Sequence, residues 1–148
     1  MRYSEAGLGR VFVLRLEDGD SLPETIERFA GKKALQRALC LVLGGAKGGS
    51  RLVVGPEGEN DMPPQPVILP LNGVHEIAGV GTLFPDEDGR PTLHLHAACG
   101  RGGETVTGCV RPGVDIWKVG EVILLELTGT SALRAKDRET GFTLLSPE

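Results

Sequence analysis

All three histidines of the 148-residue chain fall within 22 residues, and two of the three cysteines follow them closely. His94 and His96 are separated by one residue, His75 precedes them, and Cys99 and Cys109 come next. Imidazole nitrogens and thiolate sulfurs are the ligands that Zn²⁺ prefers in proteins. The types and spacing of these residues therefore point first to metal binding.

The two closely spaced histidines lie in a segment with the pattern of a β-strand. Residues 92–98 read Thr-Leu-His-Leu-His-Ala-Ala. Side chains on a strand alternate between its faces, so His94 and His96 share one face while Leu93 and Leu95 share the other. The pattern predicts that Leu93 and Leu95 face the core and that the imidazole pair lies on the other face of the strand.

A hairpin can bring Cys109 to the same face in either of two registers. A two-residue loop at residues 101–102 places Cys109 opposite His94, and a loop at residues 102–103 places it opposite His96. Two imidazoles and one thiolate at cross-strand distance suit Zn²⁺, with the fourth tetrahedral position left for water or another ligand. The spacing favours a metal site without choosing between the registers.

Other interpretations of these residues stay open. A histidine pair on a strand is commonly packed or solvated, and a free cysteine such as Cys109 commonly fills apolar space. Cys99 points to the opposite face in both registers, and His75 is a candidate fourth ligand. No nucleophile arrangement is recognisable, so no catalytic residue is assigned. The candidate bases near the metal are Glu76, Glu104 and Glu121.

One helix and a run of strands are predicted to position these residues. Residues 10–17 alternate like a strand, and a helix follows from a cap at Asp20 or Ser21 to Gly31. Residues 34–43 are ambiguous between a second helix and a buried strand, and we favour a strand from residue 38. This order predicts an α+β fold with a mostly antiparallel sheet and one or two flanking helices. A further strand is expected at residues 50–54, before a proline-rich loop at 56–66, and four more are expected after that loop at 74–84, 93–99, 105–110 and 117–127.

Length and composition restrict the class of protein. The chain is expected to form one domain over residues 1–148, since it is 40% apolar and 24% charged. It has no run of about 20 apolar residues that could span a membrane and no secretory signal, so a cytoplasmic protein is expected. Three cysteines, an odd number, argue against a disulfide framework.

Charge argues against direct binding to nucleic acid. The formal net charge is −4, which does not favour a polyanionic partner. Residues 28–51 carry six basic side chains and no acid. This stretch could form a patch for phosphate or nucleic acid, but a solvated helix face with its loop is the simpler interpretation.

The order of the motifs resembles the plants-and-prokaryotes conserved (PPC) domain family. His94-Leu-His96 is followed, after a glycine hairpin, by Thr107-Gly-Cys109-Val-Arg-Pro-Gly113 and by a long apolar strand with Glu121 near its start. The opening residues 9–20, a strand with an arginine followed by Gly-Asp, look like the start of the family. The resemblance covers about residues 9–128 and leaves 129–148 as a C-terminal tail.

The resemblance implies a compact α+β domain that assembles as a homotrimer. Prokaryotic members often hold a metal, usually taken as zinc, through an H-x-H pair and the histidine of Gly-Gly-His. Carried over to this chain, the ligands are His94, His96 and Cys109, with cysteine where the family has histidine. Plant members carry AT-hooks before the domain. Here Gly89-Arg90-Pro91 matches only the AT-hook core and has no flanking basic residues.

We therefore expect a stand-alone prokaryotic PPC-type protein, a zinc-containing homotrimer of undefined biochemical role, with no membrane partner and no direct nucleic-acid partner. A DNA-associated regulator using residues 28–51 is one alternative. A zinc-dependent hydrolase or lyase, in which the metal activates water, is another. The trimer contact is expected from Leu124, Leu127 and alternate residues of 11–16, and residues 122–127 are expected to form a fully buried strand.

Overall fold

The structure is a computed structural model that describes residues 1–138 and 140–147. Eight strands form one sheet in the order β1-β8-β2-β5-β6-β7-β3-β4, and all neighbouring pairs are antiparallel. Strands β9 and β10 form a separate two-stranded sheet. In chain order the elements are β1 (Gly7–Glu17), α1 (Leu22–Lys32), β2 (Ala38–Ala46), β3 (Arg51–Pro56), β4 (Pro66–Pro70), β5 (His75–Pro85), β6 (Pro91–Arg101), β7 (Glu104–Cys109), β8 (Ile116–Thr128), β9 (Leu133–Lys136) and β10 (Thr143–Ser146).

The helix packs against one face of the large sheet, which we call the inner face. It begins after Ser21 and ends at Lys32, one residue beyond the predicted stop at Gly31. Its buried residues recur every four positions along one stripe, and they join the same core as alternate residues of the strands. The buried residues of the stripe are Leu22, Ile26 and Ala30. Among the described residues, no helix has the length and apolar character needed to cross a membrane.

The opposite face of the sheet, which we call the outer face, carries a continuous row of apolar side chains. The ladder pairs align one residue from each of five neighbouring strands, from β1 to β6. Residues directly opposite each other in a ladder share a face. The row consists of Val13, Ile123, Leu41, Val80 and His96. The same ladder continues through Cys109 and Val53 to Ile68.

The structure confirms the predicted mostly antiparallel sheet and contains one described helix rather than two. The ambiguous segment is strand β2, as favoured, because Ala38, Cys40 and Val42 are buried at a period of two. The prediction of a fully buried strand at 122–127 is wrong. Only alternate residues there, such as Leu124, are buried, because β8 turns its other side to the outer face.

That alternation also corrects the predicted trimer contact. Leu124 is fully buried in the core beneath the sheet, so it cannot belong to an open face. The outward residues of β1 are Val11 and Val13, which are 60% and 79% exposed. Leu127 is partly buried.

Three strands lie where no strand was expected. Strand β4 follows the proline-rich loop and forms the edge of the sheet beside β3. The segment expected as a tail contains β9 and β10, and β9 contacts the turn after β5 through a bridge between Asp86 and Arg134. The C-terminal residues therefore pack on the domain.

Candidate metal centre

Strands β6 and β7 bring the two histidines and the cysteine together on the outer face. Arg101 pairs with Glu104, so the hairpin loop is Gly102-Gly103. Both loop glycines have positive φ, at 61° and 88°, which this tight turn requires and which side chains disfavour. Of the two registers left open by the sequence, the structure has the one that places Cys109 opposite His96.

The donor atoms of these residues converge at the spacing of metal ligands. The ligand atoms of His94, His96 and Cys109 all lie within 4.8 Å of one another. The two histidine Nε2 atoms are 3.1 Å apart. Two nitrogens bound to a tetrahedral zinc at 2.0–2.1 Å would lie roughly 3.3 Å apart. The distance between the two Nε2 atoms is thus close to the one that a bound zinc ion requires.

The surroundings of His94 favour the neutral imidazole, which is the form that binds metal. Its pKa is lowered by burial first, and then by the charges of Arg134, His96 and Arg111. His94 is half-buried and His96 exposed, whereas Cys109 is 9% exposed. The site is therefore reached from the histidine side, with the thiol set deeper.

A shallow cavity of about 270 Å³ opens at the histidines and is bounded by β5 and β6. Gly81 in β5 lets the two strands approach here. A Cβ atom at this position would lie 2.6 Å from the backbone oxygen of His94 and 2.7 Å from the Cβ of Leu95. The lining residues are Val80, Gly81, Thr82, His94 and His96.

The other candidate residues lie away from this group. Cys99 is fully buried in the core on the opposite face, as predicted, and burial raises its pKa to about 11. His75 does not join the group as a fourth ligand, and its Nδ1 lies 3.0 Å from the Gly73 carbonyl oxygen. The three candidate bases are exposed, and none belongs to the described donor group; they are Glu76, Glu104 and Glu121.

The sequence motifs did not single out Arg134, a buried side chain close to the site. It projects from β9, and its Nη2 donates to the backbone oxygen and to Oγ1 of Thr82, at 3.0 and 2.8 Å. Thr82 pairs with His94 in the sheet. The alternating segment 133–136 and the Gly141 turn before β10 are hairpin signals that could have identified this element.

Four of the six basic side chains in residues 28–51 make contacts within the molecule, and Arg28 donates to the Thr25 hydroxyl on its own helix. Arg37 donates to two carbonyl oxygens just before β9, at 2.7 and 3.0 Å. Lys47 lies 3.3 Å from an Asp18 carboxylate oxygen, and Arg51 donates to a carbonyl oxygen after β7. These contacts favour the interpretation of the stretch as an ordinary part of the fold surface.

A family model described as the Plants and Prokaryotes Conserved (PCC) domain matches residues 3–128. Solved structures are similar over nearly the whole chain. A plant- and prokaryote-conserved (PPC) protein from Pyrococcus horikoshii is 24% identical, with a TM-score of 0.85 over 99% of this chain and 97% of that chain. A metal-containing protein from Archaeoglobus fulgidus is 28% identical, with a TM-score of 0.82 over 99% of each chain.

A curated relative shares sequence over most of this chain but is much longer. It is the bifunctional protein GlmU of Synechococcus sp. (strain JA-3-3Ab), 30% identical over 140 residues. The match covers 94% of this chain and 21% of that protein, so the chain spans about a fifth of the relative's length.

Proposed function

The chain belongs to the Plants and Prokaryotes Conserved (PCC) domain family, and from this membership we propose that it binds Zn²⁺ through His94, His96 and Cys109. The observation that carries the proposal is the convergence of two imidazoles and one thiol within 4.8 Å. The similarity to the Archaeoglobus fulgidus protein described as metal-containing supports it. Cysteine, which stands at position 109 in place of the family's third histidine, is a residue type that commonly binds zinc.

The donor set favours zinc over harder cations. Imidazole and thiolate bind borderline and soft metals, whereas Mg²⁺ and Ca²⁺ need oxygen ligands. Among the described residues, no carboxylate belongs to the group. A bound zinc ion would supply a fixed positive charge and a Lewis acid at the outer face. The group contributes three protein ligands, which is the number typical of a site that also takes an outside ligand.

The test of the metal site is the zinc content of purified variants. Wild-type protein is expected to carry about one zinc per chain, and chelators are expected to remove it. Cys109→Ala and His94→Ala should each lose most of the zinc, because the described group holds no spare ligand. Cys99→Ala is the matched control, since its thiol lies in the core on the other face. Equal zinc content in wild type and Cys109→Ala would rule out the thiolate as a ligand.

We propose further that copies of this chain cover the outer face and form a homotrimer. The support within the chain is the apolar row, in which Val13 and Val80 are each more than half exposed and Leu41 is 39% exposed. A contiguous apolar patch of this kind is unusual on a monomeric protein. Covering it stabilises an assembly by roughly 25 cal/mol per Å² of apolar area, before the costs of association. The expectation of three subunits comes from the resemblance to the family.

The assembly is tested by light scattering at micromolar concentration, where a mass about three times 15.7 kDa is expected. Val13→Asp should lower the mass, because it places a charge on the apolar row without disturbing the core. Met62→Asp is the matched control, since Met62 is also exposed but lies in the loop between β3 and β4, outside the sheet. A concentration-independent monomer mass for the wild type would contradict the trimer.

The described donor group favours a binding role over a hydrolase or lyase. General acid–base chemistry at a metal needs a proton-transferring side chain within hydrogen-bond reach. The carboxylates considered for that role, those of Glu76, Glu104 and Glu121, lie outside the group. The activity named for the Synechococcus relative is not carried to this chain, which matches only 21% of that protein.

A further inference from the structure

Arg134 is a buried cation within 4 Å of no described carboxylate, although Asp86, Glu87 and Asp88 line a neighbouring cavity with it. Arg134 is 4% exposed, and its guanidinium group donates to the Thr82 hydroxyl and to the carbonyl oxygens of Thr82 and Thr92. Its guanidinium carbon lies 5.9 Å from the centre of the Phe84 ring. None of the described ion pairs includes it. A buried charge usually has a counter-ion, because its desolvation is costly.

The guanidinium group is anchored beside the proposed metal site. Thr82, which accepts two of its hydrogen bonds, stands opposite His94 and lines the same shallow cavity as both histidines. The charge of Arg134 is close enough to lower the pKa of His94 and to interact with Cys109. Strand β9 thus brings a fixed cation to the edge of the site.

Arg111 is a second cation whose charge acts on the site. It lies two residues after Cys109, is exposed, and makes no hydrogen bond or ion pair within the described part of the chain. Its charge acts on His94 and also on Arg134, whose pKa is lowered by burial and then by Arg111. The charges of both guanidinium groups therefore act on His94, and the described donor group contains no carboxylate.

These charges oppose a divalent cation alone and favour a cation together with an anion. Zinc with two neutral imidazoles and one thiolate has a net charge of +1, and the arginines add two further positive charges. Coulomb energy at a partly buried position is larger than in water, so this excess is costly. The planar fork of arginine binds carboxylate and phosphate oxygens particularly well.

We propose that Arg111 and Arg134 make the His94–His96–Cys109 centre a receptor for a small oxyanion, a carboxylate or a phosphate, taken up together with the metal. This inference rests on the proposed metal site and adds the class of its outside ligand. Arg134 is the buried, pre-positioned partner, and Arg111 is the exposed partner that reaches the ligand from the solvent side. Because coupling between two ligands is reciprocal, the anion tightens metal binding as much as the metal tightens anion binding.

The experiment measures zinc affinity at fixed ionic strength with free Zn²⁺ set by a chelator buffer. Sodium chloride is replaced in one arm by sodium acetate and in another by inorganic phosphate. An increase in affinity on the order of tenfold is expected with at least one oxyanion, the usual size of coupling between two sites. The arm that responds identifies the ligand as carboxylate or phosphate.

Variants separate the roles of the two arginines. Arg111→Gln should abolish most of the increase while binding zinc in chloride at least as tightly as the wild type, because a repelling charge is removed. Arg28→Gln, with the same charge change on α1, is the matched control and should keep the full increase. Arg134→Lys retains the buried charge but removes the fork, so the increase should be reduced.

The outcomes distinguish the two proposals. Absence of zinc uptake in every buffer would overturn the metal site and, with it, the anion site. Zinc uptake that is unchanged by acetate and by phosphate would overturn the anion site and leave the metal site standing. An increase of equal size in Arg111→Gln and Arg28→Gln would show that Arg111 takes no part.

Discussion

Residues of one type behave differently in this protein because their surroundings differ. Cys40 and Cys99 are fully buried in the core, where burial raises their thiol pKa values to about 12 and about 11. Both are small apolar fillers, held in the unreactive thiol form. Cys109 lies on the opposite face of the sheet beside His96. Only Cys109 has the surroundings of a ligand.

Thiol labelling can test this difference. We expect a small alkylating reagent at pH 8 to leave Cys40 and Cys99 unmodified in the native protein, since the thiolate is the reactive form. Cys109 should be modified in metal-free protein and protected once zinc is added. Peptide mass spectrometry reads all three sites in one sample. Labelling of Cys99 at the rate of Cys109 would contradict its placement in the core.

Among the elements, strands β1 and β8 are joined by an ion pair at one end of their ladder. Arg10 donates to both carboxylate oxygens of Glu126, at 2.7 and 2.6 Å, and its backbone N–H donates to the same group at 2.9 Å. These bonds, the side-chain one first, lower the pKa of Glu126 from 4.5 to about 2. The pair fixes the register of β1 beside the bulge between Leu8 and Val11.

The lowered pKa predicts a definite dependence of stability on pH. A carboxyl group with a lowered pKa in the folded state contributes stability above its ordinary pKa of 4.5 and loses it as the pH falls through about 2. Glu126→Gln should therefore lower the urea midpoint at pH 7, and the difference from wild type should shrink between pH 4.5 and pH 2.

Glu17→Gln is the control for this prediction. The Glu17–Arg15 pair is 2.6 Å long, but both side chains are more than 60% exposed, so its removal should change the midpoint little. A difference for Glu126→Gln that persists unchanged at pH 2 would show that the carboxylate charge is not the cause.

The whole molecule has two sheet faces with separate roles. The inner face and α1 form the core, and the outer face carries both the apolar row and the histidine–cysteine group. His96 belongs to both features, since it pairs with Val80 on one side and with Cys109 on the other. Metal binding and subunit assembly are therefore expected to influence one another.

For the whole molecule we also expect no specific complex with duplex DNA. The net charge is −4, and Arg37, Lys47 and Arg51 are engaged in contacts within the chain. A gel-shift titration at about 150 mM salt, where weak electrostatic binding is largely screened, should show no discrete band. A sub-micromolar complex that depends on DNA sequence would contradict this expectation and support a regulatory role.

The features that depend on local periodicity could be predicted from the order of the amino acids. Alternation along residues 92–98 placed His94 and His96 on one face, because strand side chains repeat every two residues regardless of their neighbours. The glycine turn limited Cys109 to two registers, both on that face. The family followed from the order of these motifs, and the family model over residues 3–128 confirms it.

The features that depend on contacts between distant segments could be assigned only from the folded chain. The choice of His96 as the partner of Cys109 required the whole β6–β7 ladder. The burial of Leu124 depends on which side of the sheet α1 covers, since apolar residues occur on both sides of β8 in the sequence. Arg134 reaches Thr82 across 52 residues, and no local pattern indicates which strand a C-terminal hairpin will meet. Local sequence sets which way a side chain points, whereas packing sets what it points at.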